Sequence, residues 1–144
     1  MTIFLDTSVF VAFANTRDAK HEEARDIVDG LLEGRWGRGI TSDFVLDETV
    51  TVTLARTRHV ETAILVGETI LGTGPAGRIV DLAYVSPRTF LRTWALFRRF
   101  AARGLSFTDC TSLELMRILG IEQIASFDRD FDGIVSRRSH GGSA

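Results

Sequence analysis

Four carboxylates in this 144-residue chain sit where a carboxylate needs a reason: Asp6, Glu48, Asp109 and Asp128. Asp6 directly follows the apolar run TIFL (2–5), and Asp128 directly follows QIASF (123–127). Glu48 falls in a helical pattern in which Phe44, Glu48, Val52 and Ala55 step by four, four and three, so it shares the apolar stripe. Asp43, Asp47 and Thr51 take the neighbouring, more polar face. Asp109 lies near the start of a helical segment, where the helix dipole tolerates negative charge. Each has a plain structural alternative. Asp6 and Asp109 can cap helices, Asp128 and Asp130 can serve as turn residues, and Glu48 can pair with an arginine.

Convergence of the four would demand a counter-ion. Two carboxylates about 5 Å apart repel by roughly 3 kcal/mol at an effective dielectric near 20. Divalent metal held through oxygen relieves that repulsion, and an all-carboxylate set favours Mg2+ or Mn2+ over zinc. Zinc chemistry has little else to use here. Cys110 is the only cysteine, and His21, His59 and His140 are scattered without H-x-x-x-H spacing. The lone cysteine also excludes an internal disulfide and reads as a small buried filler. Net charge is −2, from 17 basic and 19 acidic residues, so an anionic partner must be held by a local patch or through metal. No apolar run approaches the roughly 18 residues of a membrane span, and no cleavable leader pattern opens the chain. The expectation is a soluble, cytoplasmic, single-domain protein with no membrane role.

The elements that must position these acids alternate. TIFL reads as a buried strand, followed by a helix through SVFVAFA with Ser8 near its cap. Residues 19–33 form an amphipathic helix with Ala24, Ile27, Val28, Leu31 and Leu32 in one stripe. GIT (39–41) is a short strand; Ser42 caps a helix to about Arg56, and a second helix over 60–71 makes a hairpin with it. RIVDLAYV (78–85) reads as a strand. Ser86-Pro87 then opens a long helix to about Ala102. A helix from about Asp109 to Gly120, with Thr111 and Glu114 at capping-box spacing, precedes strands at 123–127 and 134–136. Residues 1–136 make the domain, and 137–144 are expected to be a mobile tail. Short apolar strands alternating with helices predict a mainly parallel sheet covered on both faces, whose ligands bind beyond the carboxyl ends of the strands.

Read together, FLDTSVFVA, TSDFVLDET, LSFTDCTSLELMRILGI and IASFDRDFD resemble the PIN-domain ribonucleases, most closely the VapC-type toxins of toxin–antitoxin pairs. Each motif is weak alone. All four, in order and over nearly the whole chain, make a specific match, with Cys110 standing where alanine is common. The resemblance implies a three-layer α/β/α fold and metal-dependent hydrolysis of RNA phosphodiesters. Asp6, Glu48, Asp109 and Asp128 would hold one or two Mg2+ or Mn2+ ions, which activate water and neutralise transition-state charge. Thr7, Ser8 and Ser126 would position these groups, with Asp130 and Asp132 as turn residues or remote helpers. It also implies a cognate antitoxin and a homodimer, for which the surplus apolar residues Val60, Ile64, Leu65, Ile70 and Leu71 offer a surface.

Arg88, Arg92, Arg99 and Arg103 recur along the long helix and read either as a phosphate-contacting stripe or as a solvated face. Two other carboxylate–metal chemistries fit less well. A haloacid-dehalogenase-like phosphatase needs its D-x-D early, and a phospho-receiver needs a late lysine where Lys20 is the only one. A housekeeping RNA-processing nuclease shares every residue named, and a non-catalytic PIN-like module usually lacks some of the four acids.

Overall fold

The computed structural model describes residues 1–141. Five strands form one parallel sheet: β1 (Thr2–Leu5), β2 (Arg38–Ser42), β3 (Asp81–Ala83), β4 (Gln123–Ala125) and β5 (Ser136–Arg138). Their spatial order is β3-β2-β1-β4-β5. Between them run α1 (Thr7–Ala14), α2 (His21–Leu32), α3 (Asp43–Thr57), α4 (Val60–Leu71), α5 (Pro87–Phe100) and α6 (Phe107–Leu119). α1 packs with α2, α3 and α4, while α5 pairs with α6, giving the three-layer α/β/α arrangement. The central strand explains why TIFL reads as continuously apolar: Ile3, Phe4 and Leu5 are wholly buried.

The chain winds from β1 outward to β3 and then returns to the other side of β1 for β4 and β5. The direction therefore reverses between β1 and β4. Loops leaving those two strands part to opposite faces and leave a crevice beyond their carboxyl ends. Asp6 and Asp128 come from these two loops.

Several boundaries move for local reasons. The expected strand 78–85 shrinks to three residues; past Ala83 nothing is left to pair, because β2 ends at Ser42, which becomes the cap of α3. β4 stops at Ala125 because the Phe127 amide turns to donate to Ser8 Oγ at 3.0 Å. The expected strand 134–136 begins only at Ser136, because the Ile134 and Val135 amides close a turn onto the Phe131 carbonyl. β5 takes in Arg137 and Arg138 from the expected tail, and Arg35 donates to the Gly141 carbonyl at 2.6 Å. Residues 142–144 of that tail lie outside the described residues.

Side-chain expectations also shift. Asp6, not Ser8, caps α1, and the capping box of α6 is Ser106 with Asp109 rather than Thr111 with Glu114. Glu114 is instead buried beside Arg117, 2.6 Å away, and Arg92, 3.9 Å away. Leu32 turns out of its stripe into solvent. On α3 the fully buried line is Val45, Thr49 and Thr53; Phe44, Glu48 and Val52 flank it half-buried, and Ala55 is exposed. Ile70 is core at 1% exposure, whereas Val60, Ile64, Leu65 and Leu71 are about half exposed. Among the described residues no helix is long and apolar enough to cross a membrane.

Candidate active site

The four acids of the sequence line one cleft of about 440 Å3 at the crevice between β1 and β4. Thr7, Ser8, Ser106, Phe127 and Gly104 share its walls. Each acid arrives by a different local device.

Asp6 ends β1 and caps α1. Its amide donates to the Ala125 carbonyl at 3.0 Å, which ties the two strands together at the reversal point. Its Oδ2 accepts from Ser8 Oγ at 2.9 Å and from Ser126 Oγ at 2.7 Å. Its Oδ1 is buried and, among the described residues, has no hydrogen-bond partner. A cap needs only one oxygen; leaving the other buried and unpaired costs about 1–3 kcal/mol. Burial raises the Asp6 carboxyl above its ordinary range, and the Ser126 and Ser8 hydroxyls oppose that rise.

Glu48 is carried by α3, whose start is fixed by Ser42 Oγ accepting from the Val45 amide at 3.1 Å. Asp47, one position earlier, points into solvent. Burial raises the Glu48 carboxyl, the nearby Thr7 hydroxyl lowers it, and the charge of Asp6 raises it further. Among the described residues Thr7 Oγ1 nevertheless completes no hydrogen bond of good geometry. Asp43 has a structural task instead: its Oδ1 accepts from the Val85 amide at 3.0 Å and pins the approach to α5.

Asp109 is buried in the first turn of α6, its Oδ2 accepting from the Ser106 amide at 2.8 Å. Burial first, then the charge of Asp6, pushes its pKa from 3.8 to about 7, against the Ser106 hydrogen bonds. Asp128 follows β4, with its amide on Ser126 Oγ at 3.0 Å and its Oδ1 accepting from the Asp130 amide at 2.9 Å. Ser126 thus joins two of the acids, and Ser8 joins Asp6 to the Phe127 amide. Asp132 faces away, paired with Arg137 at 2.7 Å, and Asp130 sits behind Gly104, where a Cβ would lie 2.7 Å from its Oδ2.

Three charged lining residues lie outside the four motifs: Asp18, Lys20 and Arg56 close the far end of the cleft, Arg56 lying 4.0 Å from Asp18. Arg56 was legible in principle, because it continues the step of four through Glu48 and Val52. The four arginines of the other stripe do not line the cleft. Arg88, Arg92 and Arg99 run along the side of α5 that meets the second half of α6, where Arg92 approaches Glu114; Arg103 lies in the 3-10 turn after α5, its guanidinium donating to the Asp132 carbonyl. Cys110 is wholly buried, and burial followed by the Asp109 charge lifts its thiol to about 11, so it is an inert filler.

The donor set is oxygen only, contains a buried carboxylate oxygen unpaired among the described residues, and holds three carboxyls raised by burial, Glu48 and Asp109 also by the charge of neighbouring acids. That chemistry suits a hard divalent cation. As the side chains stand, among the described residues no three acidic, histidine or cysteine groups are drawn together tightly enough to hold an ion.

Comparison with known proteins gives the family and the fold. The PIN domain family model matches residues 3–135, and the chain belongs to that family. The 23S rRNA-specific endonuclease VapC20 of Mycobacterium tuberculosis is 33% identical over 129 residues, which span 90% of this chain and 91% of that protein. A VapC ribonuclease of Archaeoglobus fulgidus is 26% identical over 132 residues, 91% of this chain and 80% of that one. The crystal structure of M. tuberculosis VapC20, described as a Sarcin-Ricin loop cleaving toxin, matches with a TM-score of 0.77 at 32% identity. It covers 92% of this chain and 94% of that one.

Proposed function

We propose that the protein is a VapC-type endoribonuclease that hydrolyses RNA phosphodiester bonds in the carboxylate cleft, and that it is the toxin of a toxin–antitoxin pair acting in the cytoplasm. The observation that carries this reading is the meeting of four acids from four distant segments at the reversal point of the sheet, one of them with a buried oxygen that no group among the described residues satisfies. A partner-binding module has no use for that arrangement and would be more stable without it.

Asp6, Glu48, Asp109 and Asp128 would hold one or two Mg2+ or Mn2+ ions. When bound, these supply a nucleophile at neutral pH and neutralise the charge that grows on the phosphoryl oxygens. The protein's own groups do the positioning. Ser8 and Ser126 fix Asp6 Oδ2 and leave Oδ1 for the cation. Ser106 fixes Asp109, and Thr7 and Thr108 stand beside Glu48. Asp109, with its pKa near 7, takes up a proton whenever no cation occupies the cleft below that pH. Lys20 and Arg56 offer positive charge at the far end for an adjoining phosphate.

For partners, the half-exposed Val60, Ile64, Leu65 and Leu71 of the α3–α4 hairpin support a homodimer, and a small antitoxin would silence the site. The 23S rRNA named for the mycobacterial relative is the first substrate to try. Purified protein should cut such a transcript with Mg2+ or Mn2+, and Asp6→Asn prepared in parallel should not. Cleavage that survives both excess EDTA and Asp6→Asn would refute the assignment.

A further inference from the structure

A second cavity, of about 560 Å3, opens between α5, α6 and the residues that follow Asp132, and it shares no lining residue with the carboxylate cleft. Its floor is apolar: Met116 and Ile121 are buried, and Phe100 and Ile134 are half-buried. Arg99, Arg103 and Arg117, all exposed, stand around it. Glu114, 4% exposed, is the one acid lining it among the described residues. Three guanidinium groups against one buried carboxylate leave the cavity cationic in a chain whose net charge is −2.

Each guanidinium is held by a different device. Arg117 grips Glu114 with two donors, Nη2 to Oε1 at 2.6 Å and Nε to Oε2 at 3.2 Å. Arg99 lies over the Phe100 ring, its Cζ 5.0 Å from the centroid. Arg103 donates to the Asp132 carbonyl. A solvated arginine needs no such anchor, and ordering its side chain costs entropy. Ordered beforehand, the three lose less freedom when an anion arrives. A guanidinium carries five N–H groups, so the fork on Glu114 and the bond to Asp132 leave donors on Arg117 and Arg103 for a ligand. Such forks match the oxygens of phosphate. The apolar floor suits a different part of the same ligand, a flat and weakly polar body. The volume falls within the roughly 300–1,000 Å3 of small-molecule sites.

We propose that this cavity binds a nucleotide carrying two or more phosphate groups, with the base on the floor around Phe100 and Ile121 and the phosphates on Arg99, Arg103 and Arg117. A single phosphate would leave one of the three cations without a partner. The floor side chains have no hydrogen-bonding group to read a base edge, so base identity should matter little. Arg103 adjoins Gly104, which walls the carboxylate cleft, and Gly133 lines the cavity just past the turn that Asp128 begins. The two sites meet along these segments without sharing a side chain. The nucleotide is therefore a second ligand, separate from the strand that is cut, and its binding does not depend on the endoribonuclease reading.

The test is titration calorimetry on the full chain with ADP and GDP, in metal-free buffer at about 0.15 M salt, where long-range attraction to a polyanion is screened. Both nucleotides should saturate at one per chain with similar affinity. Pyrophosphate alone should bind several-fold more weakly, and adenosine should give no heat. Arg99→Gln and Arg117→Gln should each weaken ADP by roughly tenfold or more, the value of one charge-assisted pair. Arg56→Gln, in the carboxylate cleft, should bind as the parent does. Circular dichroism checks each fold. Arg117→Gln takes the fork from buried Glu114 and can unfold the chain, whereas Arg99 is held only by the Phe100 ring, so Arg99→Gln keeps the test decisive. No saturable binding of either nucleotide, or parental affinity in folded Arg99→Gln, overturns the proposal. Loss of binding in Arg56→Gln moves the nucleotide to the carboxylate cleft and overturns it too. Pyrophosphate binding as tightly as ADP would make this a phosphate site with no role for the floor. Single-stranded RNA that binds through Arg99 where ADP does not would make it a strand-binding surface. Either result refutes the nucleotide.

Discussion

Replacing Asp109 by asparagine should stabilise the metal-free protein, and should do so only at the higher pH. In the fold the Asp109 pKa rises from 3.8 to about 7. At about 1.4 kcal/mol per unit, keeping it ionised costs the native state roughly 4 kcal/mol well above pH 7. Because the folded pKa is the higher one, the native state binds more protons than the unfolded chain between about pH 4 and 7, and stability falls as pH rises through that window. Asparagine keeps an oxygen for the Ser106 amide, so the capping box survives. Against the gain stands a buried amide in place of the carboxyl, its extra donors unpaired, about 2 kcal/mol. The net is about 2 kcal/mol in favour of Asp109→Asn at pH 8, or about 6 °C in Tm for a chain of this size. At pH 5 most of the parental cost is gone and the two proteins should melt together. Calorimetric scans in EDTA at both pH values decide it. A variant no more stable than the parent at pH 8, or a difference that does not change with pH, refutes the reasoning. Adding Mn2+ at pH 8 should then raise the parental Tm and leave the variant's nearly unmoved; equal stabilisation of both would place the ion elsewhere.

Asp6→Asn, Glu48→Gln and Asp128→Asn should each abolish most RNA cleavage in a gel assay while Asp47→Asn cleaves normally, and the reverse result for 47 and 48 would mean that a different face of α3 serves the site. Activity removed by EDTA should return with Mg2+ or Mn2+ in a titration and should not require zinc, as oxygen ligands dictate. Ser126→Ala removes the 2.7 Å donor to Asp6 and should move the acid limb of the pH–rate profile upward; an unmoved limb would show that Ser126 does not tune Asp6. Ile64→Glu and Leu71→Glu, both at half-exposed positions, should leave the fold intact and convert a dimer to a monomer by light scattering. A parental chain that is monomeric at high micromolar concentration, with both variants unfolded, would show that surface to be core.

The sequence by itself determined the local facts. A run such as TIFL has to be buried, Ser42 and Ser86-Pro87 have to start helices, and Gly72 and Gly120, both at positive φ, have to end them. Local chemistry also separated Glu48 from Asp47, because helical periodicity assigns neighbours to different faces. It likewise marked Asp6 and Asp128 as strand-end acids. Where local rules compete, the sequence alone was undecided. Thr111 and Glu114 have capping-box spacing as good as that of Ser106 and Asp109; only packing of α6 on α5 decides that Glu114 is buried beside Arg92 and Arg117. The end of β3 was likewise set by its neighbour, since its last pair is Ala83 with Ser42, where β2 ends.

Tertiary structure decided what the acids mean. Capping and ligation were rival readings of Asp6 in the sequence, and the fold makes them the two ends of one carboxylate: Oδ2 holds the serines and Oδ1 is left unpaired. Lys20 and Arg56 enter the cleft, and the arginines along α5 stay out of it, because the sheet reverses direction between β1 and β4 and brings loops distant in sequence to one edge. That reversal is a property of strand order, which depends on long-range pairing that no local window of residues encodes.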